Sequence, residues 1–297
     1  MDKANNATTA AELEGYVTML LERFQAASQV YTIHSGEALT DKVSLLQGLM
    51  DQYNALDEAG KTAVLDKVLD LRTSKYGGKF ARSRYTTDAF KTALEAVEAA
   101  LKAINGVEAG ANYGQNERKV MRQALEDNAE ILGIDLTEYD KITVEGRKDA
   151  VGWDLLANRP AEGYTVETLQ SMLDEIVLTR QTTEESLNMV NAATTLTNIE
   201  FATMLLERFK AAEDENYTIH SGLKVADKIA MLEDLVDRYN RLGDDGKAVV
   251  LAKIIAKRPD GGYSRSQATT DALEAALTEI ETEINARLKI TSVTIAD

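Results

Sequence analysis

Hydrophobic positions recur every three or four residues along most of the chain. Leu13, Tyr16, Val17, Leu20, Leu21 and Phe24 form one such series, and Val43, Leu46, Leu49, Met50 and Tyr53 form a second. Spacing of this kind predicts amphipathic helices with one buried side. A third predicted helix carries Val64, Leu65, Val68 and Leu69, with Asp57 placed to cap its first turn. A fourth carries Phe90, Leu94, Val97, Leu101 and Ile104, and the pair Thr86-Thr87 ahead of it reads as its cap. YTIHSG (Tyr31–Gly36) connects the first two helices, and the glycine-containing stretch RTSKYGGKFARSRY connects the last two.

The same plan then returns. TMLLERF (Thr18–Phe24) reappears as Thr203–Phe209, YTIHSG as Tyr217–Gly222, and Asp41–Lys61 as Asp227–Lys247 with its apolar positions in register. A shorter copy between them lacks YTIHSG but keeps a hinge. Tyr53-Asn54-x-Leu56-x-x-x-Gly60-Lys61 corresponds to Tyr139-Asp140-x-Ile142-x-x-x-Gly146-Arg147 and to Tyr239-Asn240-x-Leu242-x-x-x-Gly246-Lys247. The middle and last copies also share a stop, Arg159-Pro160-x-x-Gly163-Tyr164 and Arg258-Pro259-x-x-Gly262-Tyr263, which hold the only two prolines of the chain. Proline cannot extend the helical hydrogen-bond ladder, and glycine accepts a left-handed turn. The first copy has Lys75-Tyr76-Gly77-Gly78 there, with no proline and a longer loop.

These repeats predict an all-α protein built as an elongated array of three related helical bundles, because units of this kind stack on their neighbours. The expected boundaries are residues 1–113, 114–191 and 192–288, with 289–297 as a tail. In that tail Ile290, Val293 and Ile295 alternate among β-branched residues, which reads as a linker or the first strand of a further β-domain downstream. On this reading the chain is a mature form or a piece of a longer protein, since MDKANNATT has neither the basic nor the apolar region of a signal peptide.

Charge and composition narrow the function classes. A net charge of −16 and a lack of broad basic surface argue against nucleic acid as a partner. No apolar run approaches the length of a membrane span, so no membrane insertion is expected. With no cysteine, thiolate catalysis, disulfides and cysteine-based metal sites have no material. The only histidines, His34 and His220, sit in the two copies of YTIHSG, as recurring linker residues or as polar contacts to a partner. No nucleophile–base arrangement and no phosphate-cradling glycine pattern is present, so the chain reads as non-enzymatic.

The most distinctive chemistry is one basic cluster in an acidic protein: Arg72, Lys75, Lys79, Arg82 and Arg84, interleaved with Tyr76, Phe80 and Tyr85. It suits an anionic cell-wall polymer or an acidic face of a neighbouring subunit, and equally suits charge complementation of a helix C-terminus. Acidic groupings at Glu213-Asp214-Glu215, Asp244-Asp245 and Asp57-Glu58 follow no dedicated calcium-loop pattern, so they are compatible only with weak calcium binding and no cofactor is expected. The recurring Tyr53, Tyr139 and Tyr239 are expected to pack at turns with their hydroxyls on backbone groups, and Trp153 occurs in the middle copy alone.

NNATTAAELE (Asn5–Glu14), NAATTLTNIE (Asn191–Glu200), ALEDNAEILGIDLTEYDKI (Ala124–Ile142), the tyrosine–glycine hinge and the Arg-Pro-x-Gly-Gly-Tyr stop together resemble helical repeats of surface-layer (S-layer) and other cell-surface proteins of Gram-positive bacteria. The resemblance implies a secreted, cell-wall or S-layer location and a structural role with self-assembly. Its partners would be neighbouring subunits of a surface lattice and anionic wall polymer. It supplies no catalytic or ligand residues.

Overall fold

The computed structural model describes residues 2–26, 38–108, 115–212, 218 and 223–294. Within these the protein is all-α. In order, the helices are α1 (Asp2–Asn6), α2 (Ala10–Gln25), α3 (Leu39–Asn54), α4 (Glu58–Ser74), α5 (Ser83–Asn105), α6 (Gln115–Leu132), α7 (Thr137–Asp140), α8 (Glu145–Ala157), α9 (Val166–Ala192), α10 (Glu200–Lys210), α11 (Val225–Arg241), α12 (Asp244–Ala256) and α13 (Ser266–Thr294). No strand occurs among the described residues; an isolated antiparallel bridge joins Thr218 and Lys224. The chain divides into two compact units, residues 1–173 and 174–297, so the division falls within α9 and not at an expected repeat boundary.

In the first unit the apolar stripes meet as their spacing requires. Leu13 and Tyr16 of α2, Leu46 and Tyr53 of α3, Val64 and Val68 of α4 and Phe90, Leu94 and Val97 of α5 are all buried. Each such side chain removed from water contributes about 1.5–3 kcal/mol before entropy is counted. Local chemistry fixes the helix starts. Thr9 and Glu12 form a reciprocal capping box at α2, and the backbone N–H groups of Thr8 and Thr9 hold the Glu12 carboxyl below its ordinary pKa. Asp57 caps α4 as its position predicts: Oδ1 accepts from the Gly60 N–H at 2.7 Å. Its second oxygen accepts from the N–H of Glu167, in the first turn of α9, at 2.8 Å.

Between α6 and α8 stands only the single turn α7. That lets α6 and α8 pack directly on one another, close enough at Gly152 that a Cβ there would lie 2.4 Å from the Arg118 carbonyl oxygen. In the second unit α10 packs on α11, and α13 covers α11 and α12. Ser186 of α9 donates to the Phe201 carbonyl at 2.9 Å, and Arg208 of α10 pairs with Glu175 of α9.

Two sequence expectations are corrected. Thr86 and Thr87 do not cap the fourth helix. α5 already begins at Ser83, both threonines are buried inside it, and the Thr87 hydroxyl bonds back to the Ser83 carbonyl at 3.3 Å. Their counterparts Thr269 and Thr270 do the same inside α13. The tail is also not strand-like. α13 continues to Thr294, because an established helix gains one hydrogen bond for every residue it adds, whereas a strand needs an edge to pair with. Residues 295–297 lie outside the described part.

Candidate functional site

One side-chain arrangement occurs three times. In the middle copy, Asn105 at the C-terminus of α5 turns its amide onto the backbone of Tyr164. The Tyr164 N–H donates to Asn105 Oδ1 at 2.7 Å, and Asn105 Nδ2 donates to the Tyr164 carbonyl at 2.9 Å. Arg159 Nη1 donates to the carbonyls of Asn105 and Val107 at 2.9 and 2.7 Å. In the last copy, Asn191 of α9 and Tyr263 exchange the same two bonds at 2.9 and 2.7 Å, and Arg258 Nη1 reaches the carbonyls of Val190, Asn191 and Ala193. In the first copy, Asn5 of α1 pairs with Phe80 at 3.1 and 2.7 Å, and Arg72 Nη1 donates to the carbonyls of Ala4, Asn5 and Ala7.

The physics of this joint is direct. The last carbonyls of a helix have no partner within it and carry the negative end of its dipole. A guanidinium supplies both the missing donors and the compensating charge. The asparagine amide then acts as a one-residue strand, satisfying the N–H and the carbonyl of the aromatic residue in the receiving loop. That loop is shaped by the Arg-Pro stop: the Gly163 N–H closes on the Pro160 carbonyl at 2.9 Å and the Gly262 N–H on the Pro259 carbonyl at 2.8 Å. Gly163 and Gly262 adopt φ of 89° and 80°, and a Cβ on either would lie 2.9 Å from the asparagine side chain. Tyr164 and Tyr263 are anchored from behind, their hydroxyls donating at 2.7 Å to the carbonyls of Leu155 and Ile254, and burial raises both hydroxyl pKa values.

The basic cluster of the first copy is split by this joint. Arg72 faces inward onto the end of α1, and Phe80 is 1% exposed and seated in the joint. Lys75, Lys79, Arg82 and Arg84 are exposed, and Arg84 lies 3.6 Å from Asp88. Between them stands an aromatic stack: the Tyr76 ring is 5.3 Å from both Phe80 and Tyr85, nearly parallel to the latter at 24°, with the Lys75 ammonium 5.6 Å from its centre. The surface therefore consists of a tyrosine pair flanked by cations, without Arg72 or Phe80.

The other candidates resolve locally. His34, His220 and Glu213-Asp214-Glu215 lie outside the described residues. Among the described residues no group of three or more acidic or histidine side chains is arranged to hold a metal ion. Tyr53 is buried with its ring 5.5 Å from Phe90. Tyr139 departs from expectation, since its hydroxyl donates to the Glu126 carboxylate at 2.8 Å and not to backbone, within a network in which Arg122 binds Asp149 and Glu145 at 2.8 and 2.9 Å. Among the described residues the tyrosine hydroxyls that reach backbone are those of Tyr164 and Tyr263. Trp153 is half-buried on α8. In the second unit a groove of about 590 Å³ is lined by residues that include Leu196, Tyr239, Leu251 and Ile255, with Asp244 and Lys247 the charged ones among the described lining residues. No helix among the described residues is long and apolar enough to cross a membrane.

The asparagines were the part that sequence reasoning missed. A signal was present, as Asn-x-Ala or Asn-x-Val at Asn5, Asn105 and Asn191, although Asn188 carries the same pattern. In comparison with known proteins, the chain matches no protein family, no curated protein and no solved structure.

Proposed function

We propose that the chain is a structural component of a bacterial surface layer or cell-surface protein, a repeat spacer that makes contacts with neighbouring subunits. The observation that carries this reading is the threefold joint. Each copy devotes its most specific polar chemistry to gripping the end of a preceding helix, and the same solution recurs in all three. Secretion to the cell wall, self-assembly and the absence of enzymatic activity belong to the same proposal. Its test is location: antibodies against the chain should label intact producing cells. Labelling that appears only after lysis would sink it.

A second reading is favoured by the Tyr76–Tyr85 stack and its exposed cations. It makes the first copy an anchoring module for anionic wall polysaccharide, with sugar faces on the rings and acidic groups on Lys75, Lys79, Arg82 and Arg84. Co-sedimentation with wall sacculi separates the two. Anchoring requires binding that disappears when anionic polymers are extracted and in the Lys79→Glu/Arg82→Glu variant, whereas a spacer binds neither preparation.

A further inference from the structure

Helices α4 and α12 hold the same place in the first and last copies. Their inward residues correspond, Val64, Leu65 and Val68 to Val250, Leu251 and Ile254, and all of these are buried. Their outer sides differ. α4 turns Thr62, Asp66 and Asp70 to solvent, whereas α12 has Ala248, Ala252 and Ala256 at the same positions, also exposed. Val249 beside them is 44% exposed, and Ile255 is half-buried. From Ala248 to Ala256 the one polar residue is Lys253, whose ammonium lies 2.9 Å from Glu279 of α13. A helix that is apolar on all sides is normally covered on all sides. The outer side of α12 instead lies open, continuous with the groove lined by Leu196, Ala248, Ala252 and Ile255.

We propose that this outer side of α12 is the contact surface for a second copy of the chain, which lays its own α12 antiparallel on the first about a two-fold axis beside Ala252. A contact of this symmetry must be complementary to itself. At roughly 100° per residue, Ala252 stands at the centre of the open arc, with Val249 and Ala256 to one side and Ala248 and Ile255 to the other. The two-fold operation then lays Val249 of one copy over Ala256 of the other, and Ile255 over Ala248, where the groove opens. Each larger side chain meets a small one, so the two helices can interlock closely. The same operation on α4 would bring carboxylates together at Asp66. Charge selects the same place. The chain carries a net charge of −16, so two copies repel over much of their surface, whereas this arc offers no charge between Ala248 and Ala256. One helix face is a small contact, so pairing is weak unless copies are crowded. It rests on the surface-layer reading for that crowding, but the two fail separately: cross-linking reports the contact, and cell labelling the location.

The chain has no cysteine, so a single thiol can be introduced without competition. Ala252→Cys puts it beside the axis, facing its own counterpart, and Asp66→Cys puts it at the equivalent exposed position of α4 as a control. On air oxidation of the purified full chain, Ala252→Cys should form disulfide-linked dimer at least roughly tenfold faster than Asp66→Cys, because only the first thiol is held near its partner. Raising the salt concentration should speed that reaction by screening the repulsion between copies. Adding Val249→Glu should return the Ala252→Cys rate to that of the control. Val249, Ala252 and Asp66 are all exposed in the single chain, so thermal melts of these variants should match the unaltered protein. Equal rates for the two cysteine variants, or no dimer from either, would overturn the proposal. So would an Ala252→Cys rate that Val249→Glu leaves unchanged. A surface that instead takes a helix of another protein gives the first of these results, since the purified chain then meets no partner.

Discussion

Asp57 and Glu167, 110 residues apart, share a helix cap: one carboxylate oxygen of Asp57 serves its own helix at Gly60, and the other accepts the backbone N–H of Glu167 at the start of α9. Asp57→Ala should therefore cost about 2 kcal/mol, twice the usual loss for a single cap. Asp57→Asn keeps one acceptor oxygen and should lose about half as much. Trp153, the only tryptophan, lies in the same compact unit, so urea unfolding followed by its fluorescence reads both variants. Equal losses for the two substitutions would show that the second bond contributes nothing.

The joint predicts a graded glycine effect. Gly133 and Gly163 both have positive φ, 67° and 89°, but only at Gly163 would a Cβ strike a neighbour, the amide of Asn105. Gly133→Ala should cost about 1–2 kcal/mol of backbone strain. Gly163→Ala adds the loss of the Asn105–Tyr164 pair and should cost at least about 2 kcal/mol more, similar to Asn105→Ala itself. Combining Gly163→Ala with Asn105→Ala should then be markedly less than additive, since both break the same contact.

Arg72 and Arg82 sit ten positions apart in one basic stretch and should behave as different kinds of residue. Arg72→Ala removes three carbonyl bonds at the end of α1 and should destabilise the first unit by about 1.5–3 kcal/mol, lowering its melting temperature. Arg82→Ala changes an exposed side chain and should stay within about 0.5 kcal/mol. Thermal melts of the two variants, run in parallel, decide this.

Lys228 makes the second unit pH-dependent. It is 4% exposed, donates to Gln267 at 2.6 Å, and burial lowers its pKa to about 8, with Asp271 opposing the shift. Between about pH 8 and the ordinary lysine value the unfolded chain holds the proton that the folded chain has released, so stability rises with pH across that window. The rise should reach on the order of 2 kcal/mol by pH 10. Above that the buried tyrosines reverse it, because Tyr239 and Tyr263 have raised pKa values and the unfolded chain loses those protons first. Hydrogen exchange of peptides from α11 and α13 should show greater protection at pH 9.5 than at pH 7.5 once corrected for intrinsic rates. Lys228→Met should remove the difference.

Much of the all-α fold was legible because it is local. Buried faces such as Leu46–Tyr53 and Phe90–Val97 repeat at helical spacing, and Asp57 announces its cap. The Arg-Pro stops were equally readable as punctuation. Their second function was not, because the Asn105–Tyr164 bond spans 59 residues and leaves no periodic trace. The basic loop misled for a related reason. A run of cations looks uniform in sequence, but Arg72 is still on α4 and faces a neighbouring helix end, whereas Arg82 precedes α5 in solvent. Thr86 and Thr87 look like a cap until the helix is seen to begin a turn earlier.

Asn105 and Asn191 both fall within the expected unit that precedes their partners, units that end at residues 113 and 191, and the arginine and aromatic residue that bind them come later in the chain. The period of duplication and the period of cooperation are therefore out of phase. A fragment cut at residue 114 would contain Arg159 and Tyr164 but not Asn105, leaving a guanidinium and a backbone N–H without their guest. The smallest faithful excerpt of this protein starts a few residues before an asparagine, inside what the sequence counts as the previous copy.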